Sequence, residues 1–419
     1  MTLTEPTRVH RSVVPPAPRS SVRATVAAGV MAHALRGLPV RVQMPDGKVL
    51  GTGDAYAPTM RVVRPDAFLS RMGADVKIGF GEAYIAGDWE AAPGTDLADL
   101  LTPFAERIRS IVPRPVQWLR RYVEPRIPVG DKNTKPGARR NIERHYDLSN
   151  DMFASFLDET MTYSSGWFPD DLTLPGATDL AAAQMRKVDG ILDLAGVRSG
   201  MSVVEIGTGW GFLAIRAAQR GATVTSTTLS GEQLALARRK VAEAGLDDRV
   251  ELLHLDFRDL TGTYDAVVSV EMVEAVGPKL WPEYFATVDR LLKPGGRAGL
   301  QAITMPHDQM LATRNAYGWI QKYVFPGGLI PSLDAIEANL AAHTSLYVAE
   351  RRDLRLHYVE TLKQWRTRFL ESWDQVAALG FDEPFRRLWE LYLAYSEAGF
   401  RSGYLGVSQL ALARPPSRG

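Results

Sequence analysis

The sequence predicts an α/β fold whose main body is a parallel sheet covered by helices on both faces. From about residue 180, short apolar runs alternate with helical segments. A glycine-rich turn joins the first of those runs to the helix after it. Upstream, residues 23–106 break this rhythm with short runs punctuated by Gly and Pro, such as Leu38-Pro-Val-Arg-Val-Gln and Met60-Arg-Val-Val, and read as a small mixed α/β domain. Residues 1–22, with four prolines and several Arg and Ser, read as a disordered lead. Residues 107–144 carry eleven Lys/Arg, three Asp/Glu and five prolines, with Trp118 and Tyr122 among them. They read either as a solvated basic linker or as a segment that docks on anionic headgroups, where each basic residue contributes about 1 kcal/mol.

The remaining residues, 145–419, form the main domain. Met201-Ser-Val-Val-Glu-Ile is a buried strand followed by a helix from Leu213 to Arg220. Ala222-Thr-Val-Thr-Ser-Thr is a second strand, with a helix from Gly231 to Ala244. Val250 to Leu255 and Tyr264 to Val270 are the third and fourth strands. Arg297 to Ile303 is the fifth, after the turn Lys293-Pro-Gly-Gly. Residues 305–400 read as largely helical, and Trp281, Trp319, Trp365, Trp373 and Trp389 read as core or channel lining. Thr313 to Phe325 reads as a packed aromatic segment, with a mobile lid as the alternative.

Composition excludes several functions. The 419 residues are 45% hydrophobic and 23% charged, which suits a folded globular chain. A net charge of +1 argues against a general nucleic-acid binder. The absence of Cys removes disulfides, thiolate nucleophiles and Cys-based metal sites, and no metal is expected. No apolar run reaches the ~18–20 residues of a spanning helix, and no secretory signal is recognised. The expectation is a cytoplasmic enzyme with at most peripheral membrane contact.

The strongest motif is Val203-Val-Glu-Ile-Gly-Thr-Gly-Trp-Gly-Phe-Leu. Gly207 and Gly209 let the backbone turn tightly beside a ligand, and Gly211 packs close at the helix start. Read alone, this could be a plain strand–helix turn. The acid before it, Glu205, the Lys293-Pro-Gly-Gly turn, and Asp256-Phe257 after the third strand point instead to a class I methyltransferase binding S-adenosylmethionine (SAM), rather than to a nicotinamide enzyme.

Five motifs in order, His145-Tyr-Asp-Leu-Ser-Asn-Asp, Met161-Thr-Tyr-Ser-Ser, Glu205-Ile-Gly-Thr-Gly-Trp-Gly, Thr228-Leu-Ser-Gly-Glu-Gln and Met272-Val-Glu-Ala-Val-Gly, together resemble the cyclopropane-fatty-acid synthase family. Gly81-Glu-Ala-Tyr-Ile-Ala-Gly-Asp-Trp-Glu resembles the N-terminal domain of its phospholipid-acting members. The resemblance implies a Rossmann-like fold and SAM-dependent methyl transfer to a cis double bond of an unsaturated phospholipid acyl chain. A carbocation follows, and proton loss closes a cyclopropane ring; a hydride shift before proton loss gives a methylene branch instead. A reductase partner can then make a methyl branch, and a homodimer is compatible with the layout.

The resemblance also implies residue roles. Tyr163 and Ser164 would touch SAM, with Gly207, Gly209 and Gly211 near its methionine part. Thr228, Leu229 and Gln233 would line the ribose side, and Asp256 and Phe257 the adenine side. A bicarbonate ion would accept the proton, held by Ser165, Glu274, Gln301, the Ile303 backbone and Tyr358. Glu274 could orient that ion or serve as the base, with Glu271 as a rival. The chain departs from the family at Ser165, Ser396 (both usually Cys), Gln301 (usually His) and Ala275 (usually His). Gln cannot carry a proton, so an altered base environment favours the 10-methylene product found in actinobacteria, with cyclopropane as the alternative. Two other readings remain: a methyltransferase for a soluble small molecule, and a non-catalytic lipid-binding protein.

Overall fold

The computed structural model describes residues 14–18, 21–111, 149–174 and 176–415. Most of the lead at 1–22, most of the basic linker at 107–144, and His145 lie outside the described residues. Packing divides the chain into two compact units. One draws on residues 1–126, 316–324 and 362–404, the other on 127–315, 325–361 and 405–419. The sequence reading places a small domain at 23–106, a basic linker at 107–144 and the main domain at 145–419. Two later segments nevertheless pack with the N-terminal residues, because their buried groups find partners there.

In the first unit, β1 (Arg41–Gln43), β2 (Val49–Leu50), β3 (Thr59–Val62) and β4 (Trp89–Ala91) form a sheet in the order β2-β1-β3-β4. Asp75 caps the Val76–Ile85 helix by accepting from the Lys77 and Ile78 N–H groups. That helix buries Glu82, whose carboxylate accepts from Lys322 Nζ at 2.6 Å and from the Tyr323 hydroxyl at 2.7 Å. Arg71 bonds Asp88 at 2.9 Å and also approaches Glu82 at 3.4 Å. The amphipathic Glu383–Arg401 helix buries Phe385, Trp389 and Phe400. Its buried Glu397 is held by Arg366 at 3.1 Å, and Arg366 also meets Asp96 at 2.7 Å. Trp319 is buried and packs edge-on against Tyr395, with ring centroids 5.4 Å apart. A Cβ on Gly81 would lie 2.5 Å from its indole, so the Thr313–Phe325 segment is packed at this point.

The second unit carries a seven-stranded sheet: β5 (Ser202–Ile206), β6 (Thr223–Thr228), β7 (Val250–His254), β8 (Tyr264–Val270), β9 (Leu292–Thr304), β10 (Tyr347–Asp353) and β11 (Gly406–Ala413). Their order is β10-β11-β9-β8-β5-β6-β7. Strands β5 to β9 are parallel; β11 runs antiparallel to β9, and β10 antiparallel to β11. The five parallel strands lie where the sequence places them, except that β9 starts at Leu292 and takes in Lys293-Pro-Gly-Gly. Two apolar clusters cover the faces, one built around Val204, Val267 and Phe285, the other around Val203, Ala214 and Val268. Adjacent residues of β5 thus serve opposite cores, as the two-residue strand period demands.

The helical expectation for 305–400 is corrected at β10, and β11 was not foreseen. The sequence of β10, Tyr-Val-Ala-Glu-Arg-Arg-Asp, is an exposed edge with no apolar alternation, so it reads as a charged run. Strand β11 is buried from Val407 to Ala413 and is recognisable only once it pairs with β9. Because Leu410 is fully buried and Tyr347 is 46% exposed, Leu410→Ala should destabilise the protein by about 2–5 kcal/mol and Tyr347→Ala by less than about 0.5 kcal/mol in urea unfolding. Equal effects would mean that β11 is not part of the core.

Candidate active site

The order in which the parallel strands are added reverses between β5 and β8, the position where open α/β sheets bind ligands at their carboxyl ends. The glycine turn leaves β5 here. Gly207, Gly209 and Gly211 have φ of 101°, 52° and 91°, all in the left-handed region. A Cβ on Gly207 would lie 2.7 Å from the Met272 side chain, and one on Gly211 would lie 3.1 Å from Ala237 Cβ. A Cβ on Gly209 would meet nothing within 4 Å. Gly207 and Gly211 are therefore needed for packing, whereas the half-buried Gly209 faces open space on its Cβ side.

Glu205 is buried beneath this turn and accepts from Ser226 Oγ at 2.5 Å. Burial pushes its carboxyl up to about 8, against the pull of Ser226 and Lys187. Thr228 Oγ1 lies 3.2 Å from Gln233 Oε1, and Ser230 caps the Gly231–Glu243 helix through the Gln233 N–H. The Leu229 carbonyl lies 3.0 Å from His254 Nε2. Asp256 caps the turn at 257–259, and Arg258 clamps its carboxylate at 2.6 and 2.7 Å. Phe257 is buried against Tyr284. Trp210 reaches over the turn to donate to Asn150 Oδ1 at 2.7 Å and packs on Phe153, which in turn meets Tyr163 edge-on. Among the residues expected around SAM, the three glycines form the turn after β5, Thr228 and Gln233 lie at the end of β6 and the start of the next helix, and Asp256 and Phe257 follow β7.

The Leu180–Leu194 helix fixes the 162–165 segment with two side chains that the motifs did not reveal. Gln184 donates to the Ser164 carbonyl at 2.9 Å, and the fully buried Lys187 donates from Nζ to Ser164 Oγ at 2.6 Å. Burial brings Lys187 down to about 8, although Glu271, Asp158 and Glu205 all favour its charge. A helical Gln and Lys three positions apart carry no sequence signal for this role.

The second cluster centres on Glu271, just past the end of β8. Its Oε1 accepts from the Ser165 N–H at 3.0 Å and from Gln301 Nε2 at 2.8 Å; its Oε2 accepts from the Tyr358 hydroxyl at 2.8 Å. Gln409 of β11 braces Gln301 by donating to its Oε1 at 3.1 Å. Glu271 itself has φ of 51°, unusual for a residue with a side chain, and its N–H donates to the Gln301 carbonyl at 2.7 Å. Burial raises its carboxyl, and its three donors oppose that rise. Ser165 Oγ turns away to its neighbour's carbonyl, donating to Gly166 at 2.9 Å.

Glu274 stands apart from those donors. It accepts the Ile303 N–H, and its solvent-shielded Oε2 has no hydrogen-bond partner among the described residues. Burial, and then the neighbouring charge of Glu271, push its carboxyl up to about 8. Ser165, Gln301, Ile303 and Tyr358 are therefore brought together as expected, but around two carboxylates. Glu271, the rival candidate, takes the central place expected for Glu274. The residues present do not fit a bicarbonate ion, because its expected donors are already bonded to Glu271 and Glu274. A third anion there would face two carboxylates.

A profile of the family described as mycolic acid cyclopropane synthetase matches residues 133–410. The chain belongs to this family. It is 52% identical over 407 residues to the tuberculostearic acid methyltransferase of Mycobacterium tuberculosis, covering 96% of this chain and 95% of that one. It is 33% identical to the cyclopropane-fatty-acyl-phospholipid synthase of Escherichia coli, covering 86% of this chain and 89% of the relative. Among solved structures, the cyclopropane synthase MmaA2 of M. tuberculosis superposes with a TM-score of 0.60 at 30% identity, covering 66% of this chain and 98% of that one. The mycolic acid cyclopropane synthase CmaA1 complexed with SAH and CTAB gives 0.59 at 29% identity, covering 65% and 97%.

Within this family fold, the open side of Gly209 offers a direct test of the cofactor face. Gly209→Ala should cost about 1–2 kcal/mol of stability from its positive φ, yet weaken SAM binding at least tenfold in calorimetry. Unchanged SAM affinity would place the cofactor elsewhere.

Proposed function

We propose that this chain methylates the cis double bond of an oleoyl-like phospholipid acyl chain and releases a 10-methylene branched chain, the precursor of 10-methylstearate. The observation that carries this reading is the 52% identity to the tuberculostearic acid methyltransferase, which runs through both units. The chain is a SAM-dependent C-methyltransferase acting on unsaturated lipid chains.

Tyr163, Ser164, the three glycines, Thr228, Leu229, Gln233, Asp256 and Phe257 are the proposed SAM contacts. SAM supplies an electrophilic methyl group, and the alkene supplies the electron pair. The protein need provide no nucleophile. Its tasks are to hold the alkene at the methyl group, to exclude water from the carbocation, and to remove one proton. Ser165, Glu274, Gln301, Ile303 and Tyr358 are proposed to surround the reacting carbons. The Glu271 carboxylate, with Glu274 beside it, is proposed to place negative charge where the cation develops.

A cyclopropane product on the same substrate is the second reading, and it is supported by the likeness to the E. coli phospholipid synthase. Saturation of the methylene branch would require a separate reductase. No helix among the described residues is long and apolar enough to cross a membrane. We propose peripheral contact with anionic lipid through the basic segment at 107–144, and a homodimer as the working assembly.

Expression in a host fed oleate, followed by mass spectrometry that locates the double bond, should reveal a methylene-branched acyl group with one carbon more than its parent, carried as the branch. A ring-containing chain of that mass would establish the second reading instead. Replacing Arg120, Arg121 and Arg126 by Gln should reduce sedimentation with anionic vesicles and flatten its salt dependence. Unchanged sedimentation would remove the basic segment from the membrane contact.

A further inference from the structure

The donors that the family resemblance assigns to a bound bicarbonate converge here on a side chain of the protein. We propose that the Glu271 carboxylate replaces the exogenous anion and accepts the proton released from the new methyl group. This inference rests on the proposed methylation of a lipid double bond and adds the base to it.

Four observations support it. Ser165 N–H, Gln301 Nε2 and Tyr358 OH, drawn from three separate parts of the fold, all bond Glu271 at 2.8–3.0 Å. Three donors favour the ionised form of one carboxyl, whereas Glu274 has the single Ile303 N–H and, among the described residues, an unpartnered Oε2. Of the two, Glu271 is therefore the one held ionised and available to accept a proton, and Glu274 is the one more readily kept neutral beside it. Glu271 also directly precedes Met272, whose side chain packs on Gly207 of the cofactor turn. Finally, its left-handed backbone is held in place by the 2.7 Å bond from its N–H to the Gln301 carbonyl. Backbone held in this way concentrates at functional sites.

The chemistry balances without an added anion. The sulfur–methyl bond breaks as a carbon–carbon bond forms, leaving neutral S-adenosylhomocysteine and a carbocation on the acyl chain. A hydride shifts from the methylated carbon to its cationic neighbour. A C–H bond of the new methyl group then breaks; its electron pair becomes the methylene double bond, and its proton passes to Glu271. The neutral carboxyl returns that proton to water after product release.

The test uses the full chain, SAM and oleoyl-phospholipid vesicles in carbonate-depleted buffer, with S-adenosylhomocysteine and the lipid product both measured. Wild-type turnover should change by less than about twofold when millimolar bicarbonate is restored. Glu271→Gln should keep SAM affinity within about threefold and lose at least about a hundredfold in turnover, the scale of general-base removal. Glu271→Gly relieves the backbone and opens the carboxylate's place, so bicarbonate or formate should restore its turnover at least about tenfold. Wild-type turnover that falls more than tenfold without bicarbonate would overturn the proposal, as would a Glu271→Gln variant within threefold of wild type. Absence of any methylated lipid from wild type in both buffers would instead sink the functional reading on which the proposal rests.

Discussion

Charge held away from bulk water at the carboxyl ends of the parallel strands is the constraint that organises the second unit. Glu205, Glu271, Glu274 and Lys187 are gathered around one glycine turn, and burial moves each toward its neutral form. Such groups are tolerated only when hydrogen-bonded or paired. The surrounding fold supplies those partners: Ser226 for Glu205, Ser164 for Lys187, and Ser165, Gln301 and Tyr358 for Glu271. The extra strand β11 takes part through Gln409, which orients Gln301 from behind.

This arrangement suits a reaction that creates a positive charge in an apolar chain. Preorganised carboxylates stabilise such a cation without reorganising during the reaction. A chemistry needing no protein nucleophile also explains why a chain without Cys can perform it. The replacement of family Cys and His residues by Ser165 and Gln301 is then coherent: a serine backbone N–H and a glutamine amide are donors to a fixed carboxylate, and neither has to carry a proton.

The first unit follows the same logic with a different outcome. Glu82 and Glu397 are buried acids on apolar helices, and each recruits a basic partner from a distant part of the chain: Lys322 for the first, Arg366 for the second. The Lys322–Glu82 pair and the further bond from Arg366 to Asp96 tie 316–324 and 362–404 to the N-terminal residues. Truncating one member of such a pair strands the other as an unpaired buried charge, so these residues serve architecture.

Local pattern alone determined the parallel core. Strands β5 to β9 and the glycine turn are legible because each depends on short-range periodicity or on backbone freedom at particular glycines. The family resemblance named the set Ser165, Glu274, Gln301, Ile303 and Tyr358, with Glu271 as a rival acid, and in the structure three donors converge on Glu271. Glu271 and Glu274 lie three residues apart, and nothing local tells which of them faces the donors. Tertiary structure decides this, because the donors arrive from β9, from the segment before the Leu180–Leu194 helix, and from the helix after β10. Lys187, Gln184, β11 and the interleaving of the two units were likewise hidden. A buried polar side chain is defined by partners that are remote in sequence, and only packing brings them within bonding distance.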